Sequence, residues 1–204
     1  MGEERFWKDG SPKRRREVRW ERQRKKRRAG FTELCLTILV AFVLVFGFVR
    51  PFVLEAFRIP SESMVPTLEV GDRVLANKFV YRLTEPERGE IVVFESVGEG
   101  DDQKLIKRVV GVAGDEVEVR NGTLLVNGEA REEPYLNRNL PFNDSYGPSE
   151  VPEGHVFVMG DNRANSADSR VFGPLPIENI EGEAFVRFWP VPKIEFLYPS
   201  AVGH

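Results

Sequence analysis

Three polar segments carry most of the side chains that could do chemistry in this 204-residue chain. They are residues 59–68 (IPSESMVPTL), residues 105–115 (LIKRVVGVAGD) and residues 159–170 (MGDNRANSADSR). Taken singly, each fits ordinary structure: a serine-rich loop, a buried strand that ends in a Gly-Asp turn, and a turn-rich loop. Taken together, they supply hydroxyl groups, one lysine within apolar sequence and several carboxylates, which are the components of nucleophilic catalysis.

Lys107 is the residue that ordinary structure does not explain. It lies between Leu105-Ile106 and Val109-Val110, in a segment that predicts a core strand. Burial lowers the pKa of a lysine from about 10.4 by as much as several units, because the ammonium form loses its hydration. Each unit corresponds to about 1.4 kcal/mol, and proteins keep such strained groups mainly at functional sites. Lys107 is therefore a candidate general base.

The more common bases and nucleophiles are scarce. The two histidines, His155 and His204, lie outside any recognisable triad context, and His155 fits an ordinary strand-edge residue. The single cysteine, Cys35, lies within an apolar run, so an intrachain disulfide and a cysteine metal cluster are excluded. A serine paired with a lysine is the arrangement that the remaining residues permit. We expect no cofactor and no metal, with a calcium loop lacking EF-hand spacing as the open alternative.

Short strands are the elements that must position these residues. Beyond residue 50, apolar and alternating runs predict strands at residues 73–78, 90–94, 104–112, 116–120 and 124–126. Asn121-Gly122 predicts a tight hairpin and Asn127-Gly128 another turn, whereas residues 134–152 form a polar, proline-punctuated excursion. The predicted fold class is mainly β, with a compact antiparallel β-sheet catalytic domain over residues 51–204.

The sequence before this domain predicts a single transmembrane helix at residues 31–50. Residues 34–49 carry no charge, and a helix that starts at Phe31 would contain 19 residues. Such a helix is about 28 Å long, close to the ~30 Å of bilayer hydrocarbon. A buried core helix is the alternative, but this run is apolar on every face and follows a densely basic stretch.

Charge is distributed unevenly along the chain. The first 30 residues contain 13 basic and 5 acidic residues, whereas the rest contain 16 basic and 27 acidic residues. The positive-inside rule then predicts a cytoplasmic tail at residues 1–30 and a catalytic domain on the outer face of the membrane. A nucleic-acid arm is the rival interpretation, but an anionic leaflet already explains the basic block. A cleaved secretory signal is disfavoured because no small-x-small site precedes Pro51.

The three segments resemble, in order, the signature boxes of the bacterial type I signal peptidase family. The matching residues are 63–68 (SMVPTL), 107–115 (KRVVGVAGD) and 160–170 (GDNRANSADSR), and residues 88–94 (RGEIVVF) are similar to a further family segment. The resemblance extends from the apolar run to about Trp189. One departure is Ala113, where the family commonly has proline, and it removes no reacting group.

The resemblance implies a membrane-bound serine endopeptidase of the bacterial plasma membrane. Such an enzyme removes signal peptides from exported preproteins by cutting after small-x-small residues. By position, Ser63 would attack the peptide carbonyl, Lys107 would act as general base, and Ser166 would orient the lysine amine. The Ser61 hydroxyl and the Ser63 backbone N–H would meet the negative charge that develops on the carbonyl oxygen.

The resemblance also implies a substrate mode, in which an extended peptide adds beside enzyme strands. Four apolar residues would line the pocket for the residue before the cut: Phe57, Ile59, Leu68 and Ile106. The charged residues of the last box would be scaffold, holding Ser166 through alternating charges within the loop: Asp161, Arg163, Asp168 and Arg170.

Two other functions remain open on the sequence. An anchored β-domain could bind extracellular peptides without cleaving them, in which case Lys107 would be solvated and Ser63 dispensable. A self-cleaving regulator could use the same serine and lysine, but that class acts in the cytosol and needs no anchor.

Overall fold

The computed structural model describes residues 33–49, 53–96, 103–137 and 142–197, and the chain divides into two units, Met1–Arg50 and Pro51–His204. In the first unit an α-helix, α1, covers residues 33–44 and continues into a π-helical turn, Val45–Val49. Within the described ranges, no helix combines the length and the apolar character needed to cross a membrane. The predicted tail and the ends of the predicted span (residues 31, 32 and 50) lie outside the described residues.

The second unit is built from short strands, as the sequence predicts. In chain order its elements are β1 (Leu54–Arg58), β2 (Arg73–Asn77), β3 (Ile91–Glu95), β4 (Lys104–Gly111), β5 (Glu116–Arg120), β6 (Thr123–Val126), β7 (Glu129–Ala130), β8 (Tyr146–Glu150), β9 (His155–Met159), α2 (Ser169–Phe172), β10 (Leu175–Pro176), β11 (Ile180–Trp189) and β12 (Glu195–Phe196). The five predicted strands are all present, with bounds that differ by no more than one residue at either end. The mainly β, antiparallel fold class is therefore confirmed for this unit.

The larger sheet has the strand order β1-β2-β11-β3-β4-β9-β10, and β12 pairs with β11. The central strand β3 is buried on both faces: Ile91 and Val93 belong to one apolar cluster, and Val92 and Phe94 to another. Burial on both faces explains why the segment has a continuous rather than alternating apolar sequence. This double layer supplies the rigid support on which β4 carries Lys107.

The smaller sheet has the order β7-β6-β5-β8. Its hairpin between β5 and β6 turns at Asn121 and Gly122, which both have positive φ (50° and 81°), as the tight turn requires. The sequence predicts no strand in residues 134–152, but Tyr146–Glu150 forms β8. Its edge position tolerates Pro148, which cannot donate a backbone hydrogen bond to a second neighbour.

Candidate active site

Ser63 lies in the loop that joins β1 to β2. The loop is closed at its neck by two backbone hydrogen bonds, from Ile59 N to Asp72 O and from Gly71 N to Ile59 O, both 2.9 Å. Met64 and Leu68 are completely buried and anchor the loop in the core. Ser63 itself is 7% exposed, so its hydroxyl sits in a dry environment at the surface of that core.

Lys107 lies on β4, between buried apolar neighbours, as predicted. Its side chain is 2% exposed, and its Nζ lies 2.7 Å from Ser63 Oγ and 3.0 Å from Ile106 O. Burial lowers the pKa of Lys107 from its ordinary 10.5 to about 8, against the opposing effects of the Asp168 and Asp161 charges. Burial thus destabilises the protonated form relative to the neutral amine by about 3 kcal/mol. At pH 7 roughly a tenth of the amine is neutral.

Ser61 is exposed and its Oγ lies 3.3 Å from Ser63 Oγ. A hydroxyl in this position is free to turn toward a carbonyl oxygen attacked by Ser63. The structure thus brings Ser61, Ser63 and Lys107 together, although they are separated by up to 46 positions in the sequence.

Ser166 lies close to the loop that carries Ser63 (residues 59–72, the serine loop). It does not make the predicted bond to Lys107. Its Oγ is buried and forms no hydrogen bond within the described residues. Its position is fixed by contact at Gly160, where an added Cβ would collide with Ser166 Oγ and with Ser63 O. The role of Ser166 as the residue that orients the lysine therefore stays a prediction.

The loop that carries Ser166 (residues 160–168, the Ser166 loop) is hydrogen-bonded directly to the serine loop. Asn162 N donates to Ser63 O (2.9 Å), and Asn162 Nδ2 donates to Glu62 O (3.1 Å). These two bonds fix the backbone carbonyl groups of Glu62 and Ser63, which lie directly before and after the Ser63 N–H. Nothing in the sequence marks Asn162 for this role, since asparagine in a turn-rich loop normally bonds to its own neighbours.

Within the same loop, Asp168 pairs with Arg170 as predicted. Asp168 is fully buried; its carboxylate accepts from Arg170 Nε and Nη2, both 2.8 Å, and from Gly160 N at 3.0 Å. Burial alone would raise the pKa of the Asp168 carboxyl, but the Arg170 and Gly160 contacts outweigh it and lower the pKa. Asp168 also caps α2 by accepting from Arg170 N.

The other two charged residues of the loop pair outside it, which corrects the prediction of pairing within the loop. Asp161 accepts two bonds from Arg108, from Nε at 2.9 Å and from Nη2 at 2.7 Å, and a third from Thr67 Oγ1 at 2.5 Å. Arg163 pairs with Glu133. Asp161 thereby links β4, the serine loop and the Ser166 loop at one buried point.

The four predicted pocket residues share one apolar cluster. Leu68 is fully buried, Ile59 and Ile106 are 2% and 5% exposed, and Phe57 is half-buried against them. Their packing role is therefore visible, and Phe57 is the member with most surface left to contact a ligand. Their contact with substrate stays a prediction.

Among the described residues, β1 and the first residues of β4 each have an edge without a neighbouring strand. The edge strand β1 pairs only with β2, and residues 104–106 of β4 pair only with β3, because β9 pairs with β4 from Arg108 onward. Lys104 Nζ lies 3.8 Å from Glu55 Oε1 and 5.2 Å from the centre of the Phe57 ring, so the two edges face each other. An extended peptide could hydrogen-bond to either edge.

The chain is similar to a known family and to several known proteins. The family described as "Signal peptidase, peptidase S26" matches residues 31–189. Probable signal peptidase I-2 of Synechocystis sp. is 46% identical over 173 residues, 83% of this chain and 78% of the relative. Signal peptidase I of Leptolyngbya laminosa is 44% identical over 169 residues, 80% of this chain and 82% of the relative. The crystal structure of a signal peptidase I from Enterococcus faecalis V583 is 36% identical, with a TM-score of 0.42, and covers 49% of this chain and 97% of that one.

The family match includes the whole stretch from Ser61 to Asp168, and therefore the serines, the lysine and the two carboxylates described above. The two relatives match four-fifths or more of the chain, well beyond any single motif. The chain therefore belongs to the signal peptidase, peptidase S26, family.

Proposed function

We propose that this serine endopeptidase of the signal peptidase family removes N-terminal signal peptides from exported preproteins with Ser63 as nucleophile and Lys107 as general base. The observation that carries the proposal is the distance of 2.7 Å between Lys107 Nζ and Ser63 Oγ, at an amine whose pKa burial lowers to about 8. The neutral amine has a lone pair, so it can take the hydroxyl proton as Ser63 attacks.

The proposed reaction follows from this pair. Ser63 Oγ bonds to the carbonyl carbon while its proton moves to Lys107 Nζ, which then donates that proton to the departing amine. The signal peptide is left as an ester on Ser63. Water attacks the ester carbon while Lys107 takes one of its protons. The bond from that carbon to Ser63 Oγ then breaks, Lys107 returns the proton to Ser63 Oγ, and the peptide leaves with a free carboxylate.

Charge on the carbonyl oxygen needs donors in place before the reaction begins. The Ser63 N–H and the Ser61 hydroxyl are the proposed donors, supported by the 3.3 Å separation of the two hydroxyl oxygens. One such donor in a dry site is worth roughly 3 to 4 kcal/mol of transition-state stabilisation. Ser166 is proposed to orient the Lys107 amine. Its buried hydroxyl beside Gly160, which has no hydrogen-bond partner among the described residues, supports that role.

The substrate is proposed to bind as an extended strand between β1 and the 104–106 edge. The facing edges supply backbone groups, and the side chains at the first and third residues before the cut would point at the same apolar wall, because side chains alternate along a strand. That wall contains Phe57, Ile59, Leu68 and Ile106. A wall of large apolar side chains leaves room for alanine and excludes leucine.

The proposal also places the chain at a lipid bilayer. Residues 31–50 would span the membrane once, residues 1–30 would stay in the cytoplasm, and the catalytic domain would face outward. Support comes from the uncharged run at residues 34–49 and from the excess of basic residues before it. Alkaline extraction of membranes tests the anchor, since a full chain released into the supernatant contradicts it.

A defined preprotein in lipid vesicles tests the proposed specificity. We expect the full chain to cut the preprotein once, directly after an alanine, with another small residue at the third position before the cut. Mass spectrometry of both products identifies the cut site. The control preprotein has leucine directly before the cut, and its cleavage should be at least about tenfold slower because the wall excludes the side chain. Equal rates for both preproteins would refute the pocket.

A further inference from the structure

Glu133, in the segment that follows β7, reaches the Ser166 loop. Its carboxylate accepts from Arg163 Nη1 at 2.8 Å and from Arg163 Nη2, so the pair is bidentate. The Glu133 side chain is 6% exposed and the Arg163 side chain is 3% exposed. Arg163 Nε in turn donates to Gly160 O at 3.1 Å. Glu133 therefore neutralises a buried cation that holds the backbone next to Ser166.

Tyr135, two residues later, reaches β4. The Cζ atom of Arg108 lies 4.0 Å from the centre of the Tyr135 ring, within the range of a cation–π contact. The Tyr135 hydroxyl donates to Glu133 Oε1 at 2.7 Å. Burial, together with the Glu133 charge, raises the pKa of this hydroxyl, which keeps it protonated as a donor. The two side chains thus form one unit that contacts both arginines.

These arginines flank the proposed base. Arg108 is the next residue after Lys107 and is paired with Asp161, whose charge acts on the lysine amine. Arg163 holds Gly160, where an added Cβ would collide with Ser63 O and Ser166 Oγ. Residues 133–135 therefore contact both the arginine that follows Lys107 and the arginine that holds Gly160, without belonging to any of the three boxes.

We propose that Glu133 and Tyr135 are positioning residues for Lys107, acting through Arg163 and Arg108. The inference rests on the proposed function, because it assigns a role only if Lys107 is the base. Neither residue is expected to contact the substrate, since the proposed peptide path follows β1 and residues 104–106. Their effect should therefore appear in kcat rather than in KM.

Removing the Glu133 charge has a predictable electrostatic sign. Arg163 remains a buried cation after Glu133→Gln, but it then lacks its partner. The charged groups around Lys107 are Asp161, paired with Arg108, and Asp168, paired with Arg170. Arg163 already interacts with the Asp161 charge, so an Arg163 without Glu133 offsets more of that charge, weakens its support of the ammonium form and lowers the pKa of Lys107. The acidic limb of the pH–rate profile should then move to lower pH.

Steady-state kinetics of the full-length enzyme across pH tests the inference. For Glu133→Gln we expect kcat to fall at least about tenfold through misplacement of the site. KM should stay within about twofold, and the acidic limb should shift down by roughly half a pH unit or more. Glu133→Asp keeps the charge and should recover the wild-type limb. The matched control is Glu118→Gln, which removes a glutamate that pairs with Arg120 on the small sheet and should behave as wild type.

A wild-type limb and wild-type kcat in folded Glu133→Gln would overturn the inference. If that variant does not fold, Tyr135→Leu decides instead, because it keeps both ion pairs and removes only the ring and hydroxyl. It should lower kcat severalfold at unchanged KM, and an unchanged kcat would overturn the inference. Failure of the proposed function is distinguishable, because the wild-type enzyme would then not cut, or Ser63→Ala would still cut.

Discussion

Ser63→Ala is expected to cleave a preprotein at least about 10⁴-fold more slowly than the wild-type enzyme, because the group that forms the covalent intermediate is gone. The substitution removes one oxygen from a side chain that is 7% exposed, and the loop remains anchored by Met64 and Leu68. The fold and the affinity for substrate should therefore be retained. Cleavage is measured by following the mature product in a time course, and binding by co-sedimentation on vesicles.

Two further serines provide a graded control for that experiment. Ser61→Ala should lose roughly 10²- to 10³-fold in kcat, since it removes one oxyanion donor and leaves the nucleophile and base. Ser149→Ala, on β8 of the smaller sheet, should leave the rate unchanged. Cleavage by Ser63→Ala at a rate near that of Ser149→Ala would eliminate Ser63 as the nucleophile.

Lys107→Met is expected to slow cleavage at least about 10³-fold while preserving the fold. Methionine fills a similar space with an apolar chain, so the loss would reflect the missing base. Among the described residues near the lysine, the carboxylates are already engaged, because Asp161 is held by Arg108 and Asp168 by Arg170. The free energy of unfolding should equal or exceed that of wild type, since the ~3 kcal/mol penalty on the buried ammonium disappears.

The matched control for this variant is Lys193→Met, in the turn that follows β11. Lys193 is exposed and pairs with Glu69, so its loss should cost under about 1 kcal/mol of stability and leave the cleavage chemistry intact. Denaturant unfolding and the cleavage assay together check both expectations. Cleavage by Lys107→Met at the rate of Lys193→Met would exclude Lys107 as the base.

Local pattern was enough to predict much of the fold. The alternation Glu-Val-Glu-Val-Arg marks β5, and its valines 117 and 119 are buried as the period of two requires. Asn121-Gly122 marks the hairpin because both positions need positive φ. By contrast, β8 contains glycine and proline, and only its pairing with β5 makes it a strand. The order of the larger sheet depends on pairings such as β2 with β11, which local sequence does not encode.

The candidate site divides in the same way. Lys107 could be singled out because a charged residue within an apolar strand conflicts with its surroundings, and family boxes indicate the serines. The ties between the boxes carry no such local signal. Asp161 bonds to Arg108 across 53 positions, and Arg163 to Glu133 across 30. Tyr135 follows a proline in a segment that looks like an ordinary loop.

The site contains buried charged groups whose desolvation cost fits its chemistry. A lysine with lowered pKa and a buried ion pair are both costly to desolvate, and the surrounding network of Thr67, Asp161 and Arg108 hydrogen bonds compensates only the pair. The cost on Lys107 remains, and it produces an amine that can accept a proton near neutral pH. The double-layered core around β3 supplies the stability that this arrangement requires.

The pH dependence of kcat/KM for wild-type cleavage of a defined preprotein tests the central claim most directly. Below about pH 8 most of the Lys107 amine is protonated and cannot accept the Ser63 proton, so the rate should rise tenfold per pH unit and level off as the pH passes through about 8. Lys193→Met, at an exposed lysine that pairs with Glu69, should give the same curve. A rate that stays flat from about pH 5 to 9 would contradict the assignment of Lys107 as the general base.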